Sequence, residues 1–295
     1  MTGTFDLIEN SISGMSKGHR AIANFILESY DKAAFMTAAK LGEEVGVSES
    51  TVVRFTTELG FEGYPEFQKA LQEDLKTKLT SVQRLGLTER FESDSEALRS
   101  VVNQDITNLK NTLSMIDDAE FDKAVSTILS ARKIYIMGIR ASAPLSEFMH
   151  FYMTLLFDDV VLVRSTCTNE LFEQIMPIGE GDVMIGISFP RYSARTINSM
   201  GYAKSKGATI IAITDKDDTA MTEYADIKLF ANSSMASFVD SLTAPLSLIN
   251  ALLVSLGMHR KDHIQASLES LETLWSQYRV YETGRDRNTE DGSIL

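Results

Sequence analysis

The sequence predicts an all-α helix-turn-helix domain followed by an α/β domain built on a five-stranded, parallel, doubly wound sheet. Three observations carry that expectation. Before about residue 79 there is no alternating strand pattern, only apolar residues at helical spacing. After Lys133, five short β-branched runs alternate with helical patterns. Near the N-terminus, "TAAKLGEEVGVSESTVVRFTTELGF" holds two short helical patterns joined by a glycine-containing turn.

Within the first part, Ile22, Phe25 and Ile26 mark one helix, and Phe67, Leu71, Leu75 and Leu79 mark another at four-residue steps. Between them, a helix from about Thr37 to Val45 turns Ala38 and Leu41 inward. Gly46 supplies a tight turn and Ser48 stands where an N-cap is wanted. The next helix buries Val52, Phe55 and Leu59, which leaves Ser50, Thr51, Arg54 and Thr57 facing outward. In a helix-turn-helix the N-terminal residues of the second helix enter the major groove. Short hydroxyl side chains let the backbone approach phosphates, and an arginine can pair bidentately with guanine or hold a phosphate. Lys40, Ser48, Ser50, Thr51, Arg54, Thr57 and Lys69 are the expected contacts with DNA. A helical hairpin with a solvated outer face fits the same pattern.

Charge narrows the mode of binding. The chain has 295 residues and a formal net charge of −13, and residues 1–80 carry 8 Lys and Arg against 12 Asp and Glu, a net of −4. Bulk attraction to nucleic acid is therefore excluded, and any DNA contact must come from a few placed cations doubled by dimerisation. Apolar runs fall short of the roughly 18 residues needed to span a bilayer. The opening "MTGTFDLIEN" also lacks the basic and then hydrophobic order of a signal peptide. A cytoplasmic protein without a membrane partner is expected. The single cysteine, Cys167, and four scattered histidines offer neither a disulfide framework nor metal-ligand spacing, so no metal or other cofactor is expected.

Four segments are anticipated: a helical head over 1–79, a polar and partly helical linker over 80–95, an α/β domain over 96–283, and a flexible tail over 284–295. Leu98, Val102, Ile106, Leu109, Leu113 and Ile116 follow three-four spacing, predicting a long amphipathic helix that joins the two domains. The runs "KIYIMG", "DVVLVR", "DVMIGIS", "TIIAIT" and "IKLFA" are the strands. "SFVDSLTAPLSLINALLVSLG" reads as one buried helix, and "KDHIQASLESLETLWSQYRVY" as an amphipathic one.

Ligands of doubly wound sheets sit outside the carboxyl ends of the strands. Three loops there carry polar groups. "GIRASAP" offers Arg140 and Ser142, "RSTCTNEL" offers Thr168 beside Thr166, Asn169 and Glu170, and "ISFPRYSART" offers Ser188, Arg191, Ser193 and Thr196. The third lies between a strand end and a helix N-terminus, where backbone donors, hydroxyls and the helix dipole meet; with two arginines present, phosphate is the natural guest. Plain helix capping with solvated arginines accounts equally for these residues. His150, Glu147 and Glu170 do not compose a recognisable acid-base pair, so an enzyme is not expected.

"SKGHRAIANFIL", "VSESTVVRF" and "ELGFEGYPEFQKAL", in that order, resemble the N-terminal domain of the RpiR family of bacterial transcription regulators. The resemblance implies a head that binds operator DNA as a dimer and a sugar isomerase (SIS) domain that senses a small phosphorylated sugar. It thereby assigns effector binding and dimerisation to the α/β domain over 96–283, and implies a homodimer or higher homo-oligomer. Ser193, Ala194 and Thr196 resemble the end of the S-x-S-G-x-T loop common in SIS domains, with Ser188 in the first serine's place and three extra residues between. Arg140 replaces the second glycine of the G-x-G-x-S pattern, which puts close backbone approach there in question: it either fills the pocket and weakens sugar binding or, as is preferred here, joins Arg191 as a further anion contact suited to a related, more anionic carbohydrate. A sugar-phosphate isomerase and a non-catalytic dimerisation module with an empty pocket are the alternatives.

Overall fold

The computed structural model describes residues 4–78, 80–164, 167–278 and 280. Six helices build the head: α1 (Thr4–Ser11), α2 (Lys17–Glu28), α3 (Tyr30–Ala33), α4 (Ala38–Val45), α5 (Glu49–Glu58) and α6 (Tyr64–Lys78). Three of the starts, those of α2, α4 and α5, are set locally: Ser16, Thr37 and Ser48 accept hydrogen bonds from the backbone N–H three residues on, satisfying donors that the helix leaves unpaired. One core joins the helices through Ile22, Ile26, Leu41, Val52, Phe55, Phe67, Leu71 and Leu75. The rings of Phe55 and Phe67 meet edge to face at 5.8 Å, an arrangement the ring quadrupole favours. Leu79 lies outside the described residues.

A short helix, α7 (Ser81–Gly86), and the long α8 (Asp94–Met115) lead into α9 (Asp118–Leu129). The start of α7 is a capping box, in which Thr80 Oγ1 accepts from the Gln83 N–H and Gln83 Oε1 accepts from the Thr80 N–H. There follow β1 (Ile134–Gly138), α10 (Ala143–Leu156), β2 (Val160–Val163), α11 (Thr168–Ile175), β3 (Val183–Ile187), α12 (Ala194–Ser205), β4 (Thr209–Thr214), β5 (Ile227–Phe230), α13 (Thr243–His259) and α14 (Lys261–Tyr278).

The strands lie in the order β2-β1-β3-β4-β5, all parallel, so the five-stranded doubly wound sheet expected from the β-branched runs is present. Parallel strands are buried on both faces, and here alternate residues serve opposite layers. Ile134, Ile136, Ile185, Ile187, Ile211 and Ile213 pack under α9, α10 and α13. Tyr135, Met137, Met184, Ile210 and Ala212 pack against α11 and α12 on the other side. The strand order reverses between β1 and β3, and the crevice at such a switch point is where doubly wound sheets take ligands.

One sequence expectation needs correction. The buried helix expected from Ser237 begins only at Thr243, and Ala231–Leu242 is instead an extended loop. Pro245 sits in the first turn of α13, where a missing N–H costs nothing, and it marks the boundary. The long helix expected from the three-four spacing is present as α8, and its apolar stripe faces outward. Leu98, Val102, Ile106, Leu109 and Leu113 are exposed, Leu113 by 73%, whereas Asn108 and Thr112 are buried. The inward face is polar because it holds the loop 231–242: Asn108 Nδ2 donates to the Ser234 carbonyl (2.8 Å), and Thr112 Oγ1 accepts from the Asn232 N–H (2.8 Å).

Candidate functional site

In the head, the face of α5 carries the polar residues expected to meet DNA. Ser48, Ser50, Arg54 and Thr57 are exposed and Thr51 is half-buried, opposite the buried Val52, Phe55 and Leu59. Gly46, at φ +76°, ends α4 in the left-handed region, and Ser48 starts α5 two residues later. The hydroxyl of Ser48 lies 2.9 Å from that of Ser50 and 2.8 Å from that of Thr51, so the three form one polar knot at the leading end of α5. Arg54 Nε donates to the Ser50 carbonyl (3.2 Å), which lays the guanidinium along the helix face. Lys40 pairs with Glu43 at 3.0 Å, and that carboxylate holds its pKa above the ordinary lysine value. Lys69 stands exposed on α6.

At the carboxyl end of the sheet a cleft of about 720 Å³ opens between the loops that follow β1, β3 and β5. Arg140 and Ser142 enter from the first loop, Ser188, Arg191 and Ser193 from the second, and Ser233, Asp240 and Ser241 from the third. Ser188 Oγ accepts from the Ser193 N–H (3.0 Å), and Ser193 Oγ in turn accepts from the Thr196 N–H (3.3 Å). Ser193 is thus the N-cap of α12 and a cleft residue together; the capping and binding roles drawn from the sequence are not exclusive. Thr196 is fully buried and is not part of the lining, because its place one turn into α12 turns it towards the core. The side chain of Thr168, like Thr166, lies outside the described residues.

The cleft holds two strained arginines. Among the described residues only Arg140 (φ +59°), Arg191 (φ +69°) and Asp218 (φ +54°) combine a side chain with a left-handed backbone. Such residues cost roughly 1–3 kcal/mol each and collect at functional sites. Arg140 therefore keeps the backbone shape that glycine would adopt there and adds a guanidinium to it. Gly138, just before, lies against the following turn: a Cβ there would come within 2.6 Å of the Ser142 carbonyl oxygen. Below the second loop, Tyr192 donates its hydroxyl to Asp215 (2.7 Å).

The third loop was missed by sequence reasoning. Its serines and Asp240 follow β5 at the same sheet edge, but the apolar Phe238 and Val239 between them read as helix. The usable signal was Thr243 with Pro245, a helix start.

Residues 2–78 match the model of the helix-turn-helix domain of the rpiR family, and residues 127–255 match that of the SIS domain. The chain belongs to the RpiR family. Relatives include an HTH-type transcriptional regulator of Haemophilus influenzae, 29% identical over 251 residues (81% of this chain, 86% of the relative). The regulator HexR of Pseudomonas aeruginosa is 23% identical over 283 residues, 92% of this chain and 96% of HexR. Among solved structures, the NanR protein of Vibrio vulnificus, complexed with ManNAc-6P, superposes with a TM-score of 0.56 at 20% identity, covering 92% of this chain and 99% of NanR. The sugar isomerase domain of an RpiR transcription factor from Sphaerobacter thermophilus superposes at 0.54 with 23% identity, over 59% of this chain and 96% of that domain. The chain is accordingly a transcription regulator with a helix-turn-helix head and a SIS domain. None of the described helices is long and apolar enough to cross a membrane.

Proposed function

We propose that this RpiR-family regulator binds operator DNA as a homodimer and senses a phosphorylated sugar or related anionic carbohydrate in the cleft between β1 and β3. The observation that carries the proposal is the pair of strained arginines, Arg140 and Arg191, facing one cavity beside the N-terminus of α12. Guanidinium pairs with phosphate or carboxylate through two charged hydrogen bonds, and the helix N-terminus adds backbone donors. The phosphosugar in the NanR complex supports the same ligand class. Sensing fits better than turnover: the only carboxylate in the described lining is Asp240, and it is engaged by Arg84 at 2.9 Å. A cytoplasmic location goes with this reading, since operator DNA is its target.

The test is calorimetric titration of the full chain with phosphorylated sugars and sugar acids. Arg140→Gly is expected to weaken binding of the best ligand at least tenfold, the scale of one lost charged hydrogen bond or more. Its melting temperature should not fall, since glycine relieves the left-handed strain. Equal affinity in the variant, or no binding by any member of the panel to the wild type, sinks the proposal.

Dimerisation is assigned to the exposed stripe of α8. Leu98, Val102, Ile106, Leu109 and Leu113 form an apolar row that a lone chain leaves in water, and burying each leucine contributes roughly 1.5–3 kcal/mol. Leu109→Glu combined with Leu113→Glu is expected to give a folded monomer in sedimentation velocity. A sedimentation coefficient unchanged from that of the wild type would move the interface elsewhere.

A further inference from the structure

The buried cation of the linker bears directly on the effector cleft. Arg84, on α7, is only 5% exposed, and its Nη1 donates to Asp240 Oδ1 at 2.9 Å across 156 residues of sequence. Asp240 also lines the cleft that holds Arg140 and Arg191. The residue before Arg84 faces the head: Gln83 Nε2 donates to the Tyr30 hydroxyl at 2.9 Å. Tyr30 packs on the head core and meets Phe5 edge to face. Two consecutive residues of a six-residue helix thus hold the head on one side and the cleft on the other. The capping box of Thr80 and Gln83 makes that helix a rigid piece, because the same Gln83 amide that caps it also touches Tyr30.

The loop 231–242 closes the circuit. Ser233, Asp240 and Ser241 line the cleft, Met235 packs against the head core, and Asp105 of α8 accepts from Ser241 (2.6 Å) and Thr243 (2.9 Å). We propose that Arg84 is a positioning residue of the effector site, and that its ion pair with Asp240 carries the state of the cleft to the DNA-binding head. The proposal rests on the effector reading above for its ligand, but the pair itself exists without one. An anion held by Arg140 and Arg191 adds negative charge to the cavity that Asp240 faces. The carboxylate is then driven towards Arg84, the pair tightens, and α7 is held more firmly against both domains.

Hydrogen exchange of the full chain, read by mass spectrometry, separates the parts of this mechanism. In the ligand-free protein, Asp240→Asn removes the charge opposite a buried guanidinium while keeping the side chain's shape. Amides of α7 are expected to exchange about tenfold faster, with β1 and β3 unchanged, and Asp240→Glu should restore part of the protection. Unaltered exchange in α7 overturns the proposal whatever the ligand is. With glucose 6-phosphate or 6-phosphogluconate, the wild type should gain protection in 231–242 and α7 together, and Asp240→Asn in 231–242 alone. Protection of the cleft loops without α7 in the wild type also overturns it. If neither probe protects the cleft loops, the phosphosugar reading fails for those ligands, while the ligand-free comparison still decides whether the pair fastens α7.

Discussion

Gly42→Ala is expected to lower the affinity of the full chain for its operator at least a hundredfold while leaving the α/β domain folded. Gly42 sits where α4 and the start of α5 come closest. A Cβ there would stand 2.7 Å from the Val47 carbonyl oxygen and 3.3 Å from both the Glu49 nitrogen and the Ser48 carbonyl carbon. All three neighbours are backbone, so none can rotate aside. The turn itself must open, although it is fastened by the Val47 N–H donating to the Gly42 carbonyl at 2.8 Å. Overpacking of this kind costs roughly 1–3 kcal/mol or more. The larger effect is geometric: moving the start of α5 displaces Ser48, Ser50 and Thr51 as a unit, and contacts to bases and phosphates tolerate little displacement. Anisotropy of a labelled duplex, selected against the wild type from a randomised library, measures the loss. Gly63→Ala is the control. Its Cβ would meet only the Pro65 ring at 3.8 Å, an ordinary contact, and binding should stay within threefold. A Gly42→Ala variant that binds as the control does would remove the helix-turn-helix from DNA recognition.

The head was legible in the sequence because its signals are local. Gly46, Ser48 and the Val52, Phe55, Leu59 spacing lie within fourteen residues, and each acts on its own helix. The sheet was legible for a similar reason: buried parallel strands need unbroken β-branched runs, and the chain supplies five. The first two cleft loops followed from the rule that ligands sit at strand carboxyl ends. What the sequence did not disclose depends on partners far along the chain. Asn108 and Thr112 look like the solvent face of α8 until the loop 231–242 lies against them, and Arg84 looks like a linker charge until Asp240 meets it. Periodicity locates an apolar stripe but not what covers it: the spacing from Leu98 to Leu113 gives an amphipathic helix, and only the structure shows that the stripe is exposed in the single chain. Ser193 illustrates a different limit. Capping and ligand binding draw on the same hydroxyl at the same place, and only the cleft around it shows that both are available.

Gly138→Ala is expected to abolish the response to effector while operator binding persists. Gly138 ends β1 and pairs with Ile187 of β3, so it directly precedes Ile139 of the cleft lining as Ile187 precedes Ser188. A methyl group there would lie 2.6 Å from the Ser142 carbonyl oxygen, and 3.1 Å from the Ser142 carbonyl carbon and Ser146 Cβ. The strand cannot yield, since it is hydrogen-bonded between β2 and β3. The turn 140–142 must therefore move outward and take Arg140 and Ser142 with it. Thermal melting should fall by roughly 2–10 °C, given about 1–3 kcal/mol of overpacking in a domain of this size. The stabilisation conferred by the best carbohydrate ligand should vanish altogether. Gly186→Ala, one strand over, distinguishes misplacement of the site from a loss of stability. Its Cβ would meet the Met200 sulfur at 2.3 Å, a closer approach, but against the end of a flexible side chain that can swing away. That variant should lose some stability and still bind ligand, because nothing it displaces belongs to the cleft. If the two variants lose ligand binding alike, general weakening of the sheet explains the loss; if only Gly138→Ala does, the turn carrying Arg140 is the part that recognises the anion.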